Sequence, residues 1–275
     1  MRMFRAYLFV AAAAVAFGQP TVNTAVVPGA LSSVLSCQAG SASCAAAVNQ
    51  SITPGALVAI FGSNLAAALA QPGTVTLSTS LADVSSVQIN GIASPIALVS
   101  PAQINVQVPW ELDPTSGSAS IVVTNGLGPS QKVRVPIVQY APTILNASEG
   151  GAQALATNAD GSLNGPAGIV PGATTHAASA GDNIAIYATG LGPVTPSPVD
   201  GAPSSDQPRN TNTVPVVMIG GISAQVVSSA LSPQFVGVYV LSVVVPQGAG
   251  TGPSVPVQVQ IGGAASVNLS TLTLQ

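Results

Sequence analysis

The chain has 275 residues, of which only 5% are charged and 4% aromatic while 47% are hydrophobic, and its formal charge is −3. That length suits two domains of ordinary size, and the apolar fraction excludes a disordered chain. A nucleic-acid surface is excluded as well, because beyond residue 5 only Lys132, Arg134 and Arg209 are basic. Gly, Pro, Ala, Val, Ser and Thr dominate, the composition of short strands joined by turns.

Residues 1–18 have the pattern of a secretory signal peptide. Arg2 and Arg5 supply the positive start, residues 6–17 an apolar core too short for a bilayer, and Ala16-Phe17-Gly18 the small residues before a cleavage point at Gln19. The short core disfavours the alternative, an uncleaved anchor. Loss of Arg2 and Arg5 moves the formal charge from −3 to −5. The mature chain is expected to be secreted, on the cell surface or periplasmic, and no later run predicts a membrane span.

Residues 19–51 predict an extension contributing one strand. Cys37 and Cys44, the only cysteines, would meet an oxidising compartment. The small QAGSAS between them allows a local disulfide worth about 2–3 kcal/mol at most on chain-entropy grounds. A metal site there would need two further ligands, which residues 19–64 lack.

The first unit is placed at residues 52–140. After a turn at Pro54-Gly55, the run Ala56–Phe61 predicts a buried strand, and Asn64 before LAAALA predicts a short capped helix ending at Gln71-Pro72. Asn90-Gly91 marks a two-residue hairpin turn. In the strand that follows, Ile104, Val106 and Val108 are expected to face a core and Gln103, Asn105 and Gln107 water, with Pro109 as terminator. Further strands are predicted over residues 119–124 and 132–137, the second at a sheet edge because of Pro136.

The second unit is placed at residues 141–275 and opens on a segment with a hairpin signal at Asp160-Gly161. Asn158, Asp160, Ser162 and Asn164 resemble the oxygen donors of a calcium loop. The closing acid is absent and only one carboxylate is present, so a plain turn is expected and no metal ligand is assigned. The landmarks of the first unit then return. GALVAIFGSNL at Gly55 matches GDNIAIYATGL at Gly181, INGI at Ile89 matches IGGI at Ile219, and SPAQINVQVP returns as SPQFVGVYVLSVVVP ending at Pro246. Landmarks kept in order predict a duplication. The fold class expected is all-β, two tandem immunoglobulin-like β-sandwich domains from that duplication; a barrel would give the same alternation.

TPGALVAIFGSNLA, INGIASPIALVSPAQINVQVPWE, AQALATNADGSLN, IAIYATGLGPVTP and PVVMIGG, with LSPQFVGVYVLSVVVP, together cover some four-fifths of the chain. In these motifs the chain resembles a family of uncharacterised C-terminal domains abundant in secreted proteins of Solibacter and other Acidobacteria. The resemblance implies an immunoglobulin-like fold of the IPT/TIG type, usually behind propeller or other repeat regions, with no assigned activity and no family catalytic residues. Here only the short cysteine-bearing extension precedes the module, which implies that it acts alone or through a partner.

No catalytic set stands out. A Ser-His-Asp triad would have to use His176, the only histidine, which lies in a small-residue linker with no G-x-S-x-G elbow in the chain. The acids are scattered, and no Gly-rich loop opens a helix to cradle phosphate, so no catalytic residue and no cofactor are expected. Trp110, with Glu111 and Asp113, is the candidate ligand contact, since a ring at a strand end can stack a sugar or anchor a peptide. The competing role is to close the end of the sandwich. Asn49, Asn146 and Asn268 head glycosylation-type triplets, a weak signal in a bacterium. The function expected is non-enzymatic contact with an extracellular protein or polysaccharide. The alternatives are a carbohydrate-binding module centred on Trp110 and, more remotely, a hydrolase using His176.

Overall fold

The structure, a computed structural model, describes residues 20–28, 51–148, 151–266 and 270–275. The signal peptide at 1–18, Cys37 and Cys44 with their disulfide, and the triplet asparagines Asn49 and Asn268 lie outside the described residues. Among the described residues every regular element is a strand except one 3₁₀ turn at Pro114–Ser116, and no helix is long and apolar enough to cross a membrane. The chain is all-β.

β1 (Thr21–Pro28), from the extension, pairs with the first unit, which begins with β2 (Leu57–Ser63), β3 (Val84–Ile89), β4 (Ile92–Ala93) and β5 (Ile96–Val99). It continues with β6 (Gln103–Gln107), β7 (Ser118–Asn125), β8 (Gly128–Pro129) and β9 (Val133–Pro136). One sheet has the order β1-β2-β6-β5; the other is β4-β3-β7, with β8 and β9 both on the far side of β7. Val58, Ile60, Ile104 and Val106 from the first sheet meet Val87, Ile89, Ile121 and Val123 from the second, all at 1% exposure or less. Period-two alternation on each strand creates this shared interior.

The second unit adds short strands β10 (Thr143–Ile144), β11 (Ala156–Asn158), β12 (Leu163–Asn164) and β13 (Thr175–His176). Its main strands are β14 (Asn183–Thr189), β15 (Val216–Ile219), β16 (Ile222–Leu231), β17 (Tyr239–Val244), β18 (Gly252–Ile261), β19 (Ala264–Ala265) and β20 (Ser270–Leu274). The long β16 pairs with β15 through residues 222–224 and with β17 through residues 225–231, so a single strand passes from one layer to the other. In the first unit β4 and β5 divide that task at Ser94-Pro95.

The duplication is visible bond by bond. In the first unit Gly55 N–H donates to Val108 O (2.8 Å) and Val108 N–H to Ala56 O (2.8 Å); in the second Gly181 donates to Val245 O (2.9 Å) and Val245 to Asp182 O (2.9 Å). Ser130 N–H reaches Val123 O while Val123 N–H reaches Ser130 Oγ, and Ser266 and Val259 make the same two bonds. Ile52 bridges Ile137 in parallel as Ala178 bridges Leu274. The β3–β4 turn has positive φ at Asn90 (52°) and Gly91 (83°), and the β15–β16 turn at Gly220 (59°) and Gly221 (81°), the geometry of a type I′ hairpin. These shared bonds define two tandem immunoglobulin-like sandwiches.

Two expectations are corrected. The helix predicted from Asn64 does not form. Asn64 takes φ 53°, Ala67 N–H is held by both oxygens of Asp83 (3.1 and 3.0 Å), and Ala70 pairs with Val99 instead of closing a turn. Alanine propensity yields to an available strand edge and a carboxylate. The face of β6 expected to meet water is buried too, with Gln103, Asn105 and Gln107 at 4%, 1% and 0% exposure. At Gln107 the cover is the second unit's loop, whose Gly201 N–H donates to Gln107 Oε1 and whose Gly201 O accepts from Leu77 N–H.

Candidate binding cleft at the junction of the two units

The junction is built on backbone as much as on side chains. Leu57 N–H donates to Thr189 Oγ1 (2.9 Å), and that hydroxyl donates onward to Gly237 O (2.7 Å). A Cβ on Gly237 would lie 3.0 Å from Gly55 O, and Gly237 has φ 71°, so the two backbone segments approach as glycine permits. From the other side the loop after β14 reaches back. Gly201 N–H donates to Gln107 Oε1 (2.7 Å), Leu77 N–H donates to Gly201 O (2.8 Å), and Trp110 N–H donates to Asp200 Oδ1 (3.1 Å).

Trp110 is part of this seam. Its half-buried ring lies over Gly55, where a Cβ would come within 2.1 Å of the ring, and packs against the interior of the second unit. Its indole Nε1 is buried without a protein partner, as are Nδ2 of Asn105 and Nε2 of Gln107. Glu111 is exposed, and its carboxyl stands against Asp200. Burial first, then this neighbour, pushes Asp200 up to about 6. Asp113 is separate from both. It caps the 3₁₀ turn, accepting from Thr115 N–H (2.8 Å) and Thr115 Oγ1 (2.7 Å), and these bonds hold its carboxyl below the usual range. The three residues adjacent in sequence thus occupy a seam, a carboxyl pair and a local cap.

Where the outer faces of β2 and β5 meet the outer face of β14, the units leave a cleft of about 620 Å³. Leu57, Leu145 and Val238 form its buried floor, and Ala97, Leu155, Tyr187 and Phe235 pack around them. Leu145, Leu155 and Tyr187 are brought side by side by backbone bonds: Leu145 N–H to Tyr187 O, Leu155 N–H to Leu145 O, and Tyr187 N–H to Leu155 O. The rim is neutral and polar, from Gln71 and Thr74 on one side to Ser148, Ser162 and Gln234 on the other. Asp160 is the one charged residue among the described residues of the lining. The residue alphabet gave one usable sign of this site: LVAIF and IAIY are continuous apolar runs rather than alternating ones, as strands buried on both faces are.

Both oxygens of Asp160 are already engaged. The predicted Asp160-Gly161 turn closes β11 onto β12, and Ser162 N–H (3.0 Å) and Oγ (2.6 Å) donate to Asp160 Oδ1. His176 Nε2 lies 3.0 Å from Oδ2, while Nδ1 lies 2.8 Å from Ala177 O. Nδ1 also lies 3.3 Å from the Asn158 amide nitrogen, so both ring nitrogens are engaged, and the pKa of the ring is raised by Ala177 O first and Asp160 second. Ser162, then His176, holds the Asp160 carboxyl well below the usual carboxylate range. The serine bonds to the carboxylate and not to the histidine, which is not the order of a nucleophile–base–orienter triad. Among the described residues no three His, Cys, Asp or Glu side chains gather to hold a metal ion.

No protein-family model matches the chain, and no curated protein matches it in sequence. Among solved structures, it is similar to the surface glycan-binding protein PbSGBP-B from Prevotella bryantii, at 11% identity and a TM-score of 0.25 over 92% of this chain and 42% of that one. It is also similar to the I9–I11 tandem of titin, at 11% identity and a TM-score of 0.21 over 82% of this chain and 62% of that one. In both cases the chain spans less than two thirds of the neighbour's length.

Proposed function

We propose that the protein is a non-enzymatic, exported binding protein that works by contact at the cell envelope, its two units (residues 52–140 and 141–275) holding the ligand in the cleft between them. We place it, on the motifs quoted above, with the Solibacter-type secreted modules. The observation that carries the reading is the cleft itself, a concave apolar site whose floor is contributed by both units and whose rim is neutral and polar. The placement of His176 supports the non-catalytic part, because both ring nitrogens are already engaged by Asp160 and by the chain around Asn158 and Ala177, and no serine hydroxyl bonds to the ring among the described residues. The packing of Trp110 into the seam favours the cleft over a Trp110-centred sugar platform.

The test is retention of the mature chain on the producing cell's envelope fraction and, separately, on its exopolysaccharide. The wild type is expected to be captured by the envelope fraction, and Ala97→Phe, which fills the cleft from β5, to lose that capture while melting within a few degrees of wild type. Equal capture of both proteins, or capture of neither, would remove the reading.

A further inference from the structure

Resting on that reading of the cleft, we infer that its ligand is an uncharged aliphatic small molecule with one neutral polar end, of the long-chain alcohol or ester class. Three observations converge on this chemistry. The volume, about 620 Å³, lies within the range of roughly 300–1,000 Å³ typical of small-molecule pockets. The floor and walls are mainly Leu, Val and Ala, with Tyr187 and Phe235 as the only rings, so the match is to methylene groups rather than to a stack of sugar faces.

The third observation is charge. Among the described residues the lining contains no Lys, Arg or His, so an anionic head group would enter without a partner. The one carboxylate among the described lining residues, Asp160, already has Ser162 on one oxygen and His176 on the other, so a cationic head group meets a carboxylate whose oxygens are both engaged. What the rim does offer is neutral hydrogen bonding, from hydroxyls and amides such as Thr74, Ser148 and Gln234. Those groups suit a hydroxyl or ester end. The ligand enters as a single aliphatic chain offered by a component of the envelope fraction rather than as a bilayer surface, because the cleft is a recess between two units and its rim has, among the described residues, no basic side chain to seat on an anionic bilayer.

The experiment uses the mature chain and displacement of Nile red by a series of free linear alcohols from hexanol to dodecanol. Binding is expected at one site per chain, tightening about threefold to fourfold per added methylene until the cleft is full. Dodecanoate should bind at least tenfold more weakly than dodecanol at neutral pH, and Gln234→Lys should bring the two level by adding a cation at the rim. Ala97→Phe should lose at least tenfold for every alcohol. The chain-length and head-group series need no variant, so they judge the proposal even if a variant folds poorly. Absence of saturable alcohol binding, dodecanoate binding as tightly as dodecanol, alcohol affinity unchanged in Ala97→Phe, or co-flotation with phosphatidylcholine vesicles in preference to free alcohol would each overturn it. If the alcohols fail while Ala97→Phe still abolishes envelope capture, the cleft stands and only the ligand class falls. If capture survives in Ala97→Phe, the cleft reading itself falls.

Discussion

Strands β6 and β17 have the same place in their units and the same bonding frame, yet their outward faces have opposite fates. On β6 the outward residues are Gln103, Asn105 and Gln107, all polar and all buried; on β17 they are Val240, Ser242 and Val244, two of them apolar and all only half-buried. Hydrophobicity therefore does not decide which face is covered. The neighbour does: β6 faces the junction, where the loop carrying Gly201 and the segment through Leu77 close over it. The cost falls on β6 as unpaired amide nitrogens at Asn105 and Gln107. A duplicated frame can thus be kept while one copy becomes a buried contact surface and the other stays a half-open wall.

The largest expected effect lies just past β6. Trp110 follows Pro109 as Gln247 follows Pro246, but Trp110 packs over Gly55 and against the second unit whereas Gln247 is exposed. Trp110→Ala should destabilise the chain by about 3 kcal/mol, at the low end for a truncated Trp because the ring is half-buried. Gln247→Ala should stay within about 0.5 kcal/mol. Urea denaturation of both variants measures the contrast, and equal small losses would show that the seam does not depend on the ring.

The next effect is on β6 itself. Gln107→Leu removes the acceptor of the buried Gly201 N–H, an expected loss of about 1–3 kcal/mol, even though it also removes an unpaired amide nitrogen. The matching change on β17, Val244→Leu, should be nearly neutral because that face is half-open. A Gln107→Leu chain as stable as wild type would mean that the amide's burial already offsets its bond to Gly201.

These contrasts mark what could be read in advance. The turns at Asn90-Gly91 and Asp160-Gly161, the terminator Pro109 and the inward set Ile104, Val106 and Val108 were legible because each depends on local stereochemistry or on a period of two. The burial of Gln107 was not, since nothing in a strand's own pattern reports what a second unit lays over it. The helix at Asn64 was misread for a related reason: the carboxylate of Asp83 and the edge at Val99, both distant in sequence, outcompete alanine's local preference. At the cleft, the continuous run through Phe61 signals coverage on both faces without saying by what. The pairing of Asp160 with His176 joins residues sixteen positions apart across β12, and no spacing rule announces it.

The smallest effects are two steps in stability with pH, one at the seam and one at the cleft rim. Asp200 has a folded pKa of about 6 against 3.8 for the free group, so the folded state binds the proton more tightly; stability present below pH 3.8 is lost as pH rises to about 6. Asp200→Asn keeps an oxygen for Trp110 N–H and should abolish this step, leaving the variant about 1–2 kcal/mol more stable than wild type at neutral pH once solvent screening is allowed for. His176 also has a raised pKa, from Ala177 O and then Asp160, so its contribution is full below its ordinary 6.5 and fades as pH rises through the higher folded value. His176→Gln should remove only this second, smaller step, because the pair is exposed and screened. Melting temperatures recorded from pH 3 to 9 on wild type and both variants separate the windows. A wild-type profile flat between pH 4 and 6 would show that burial does not raise the Asp200 carboxyl, and would leave the seam with the bond to Trp110 alone.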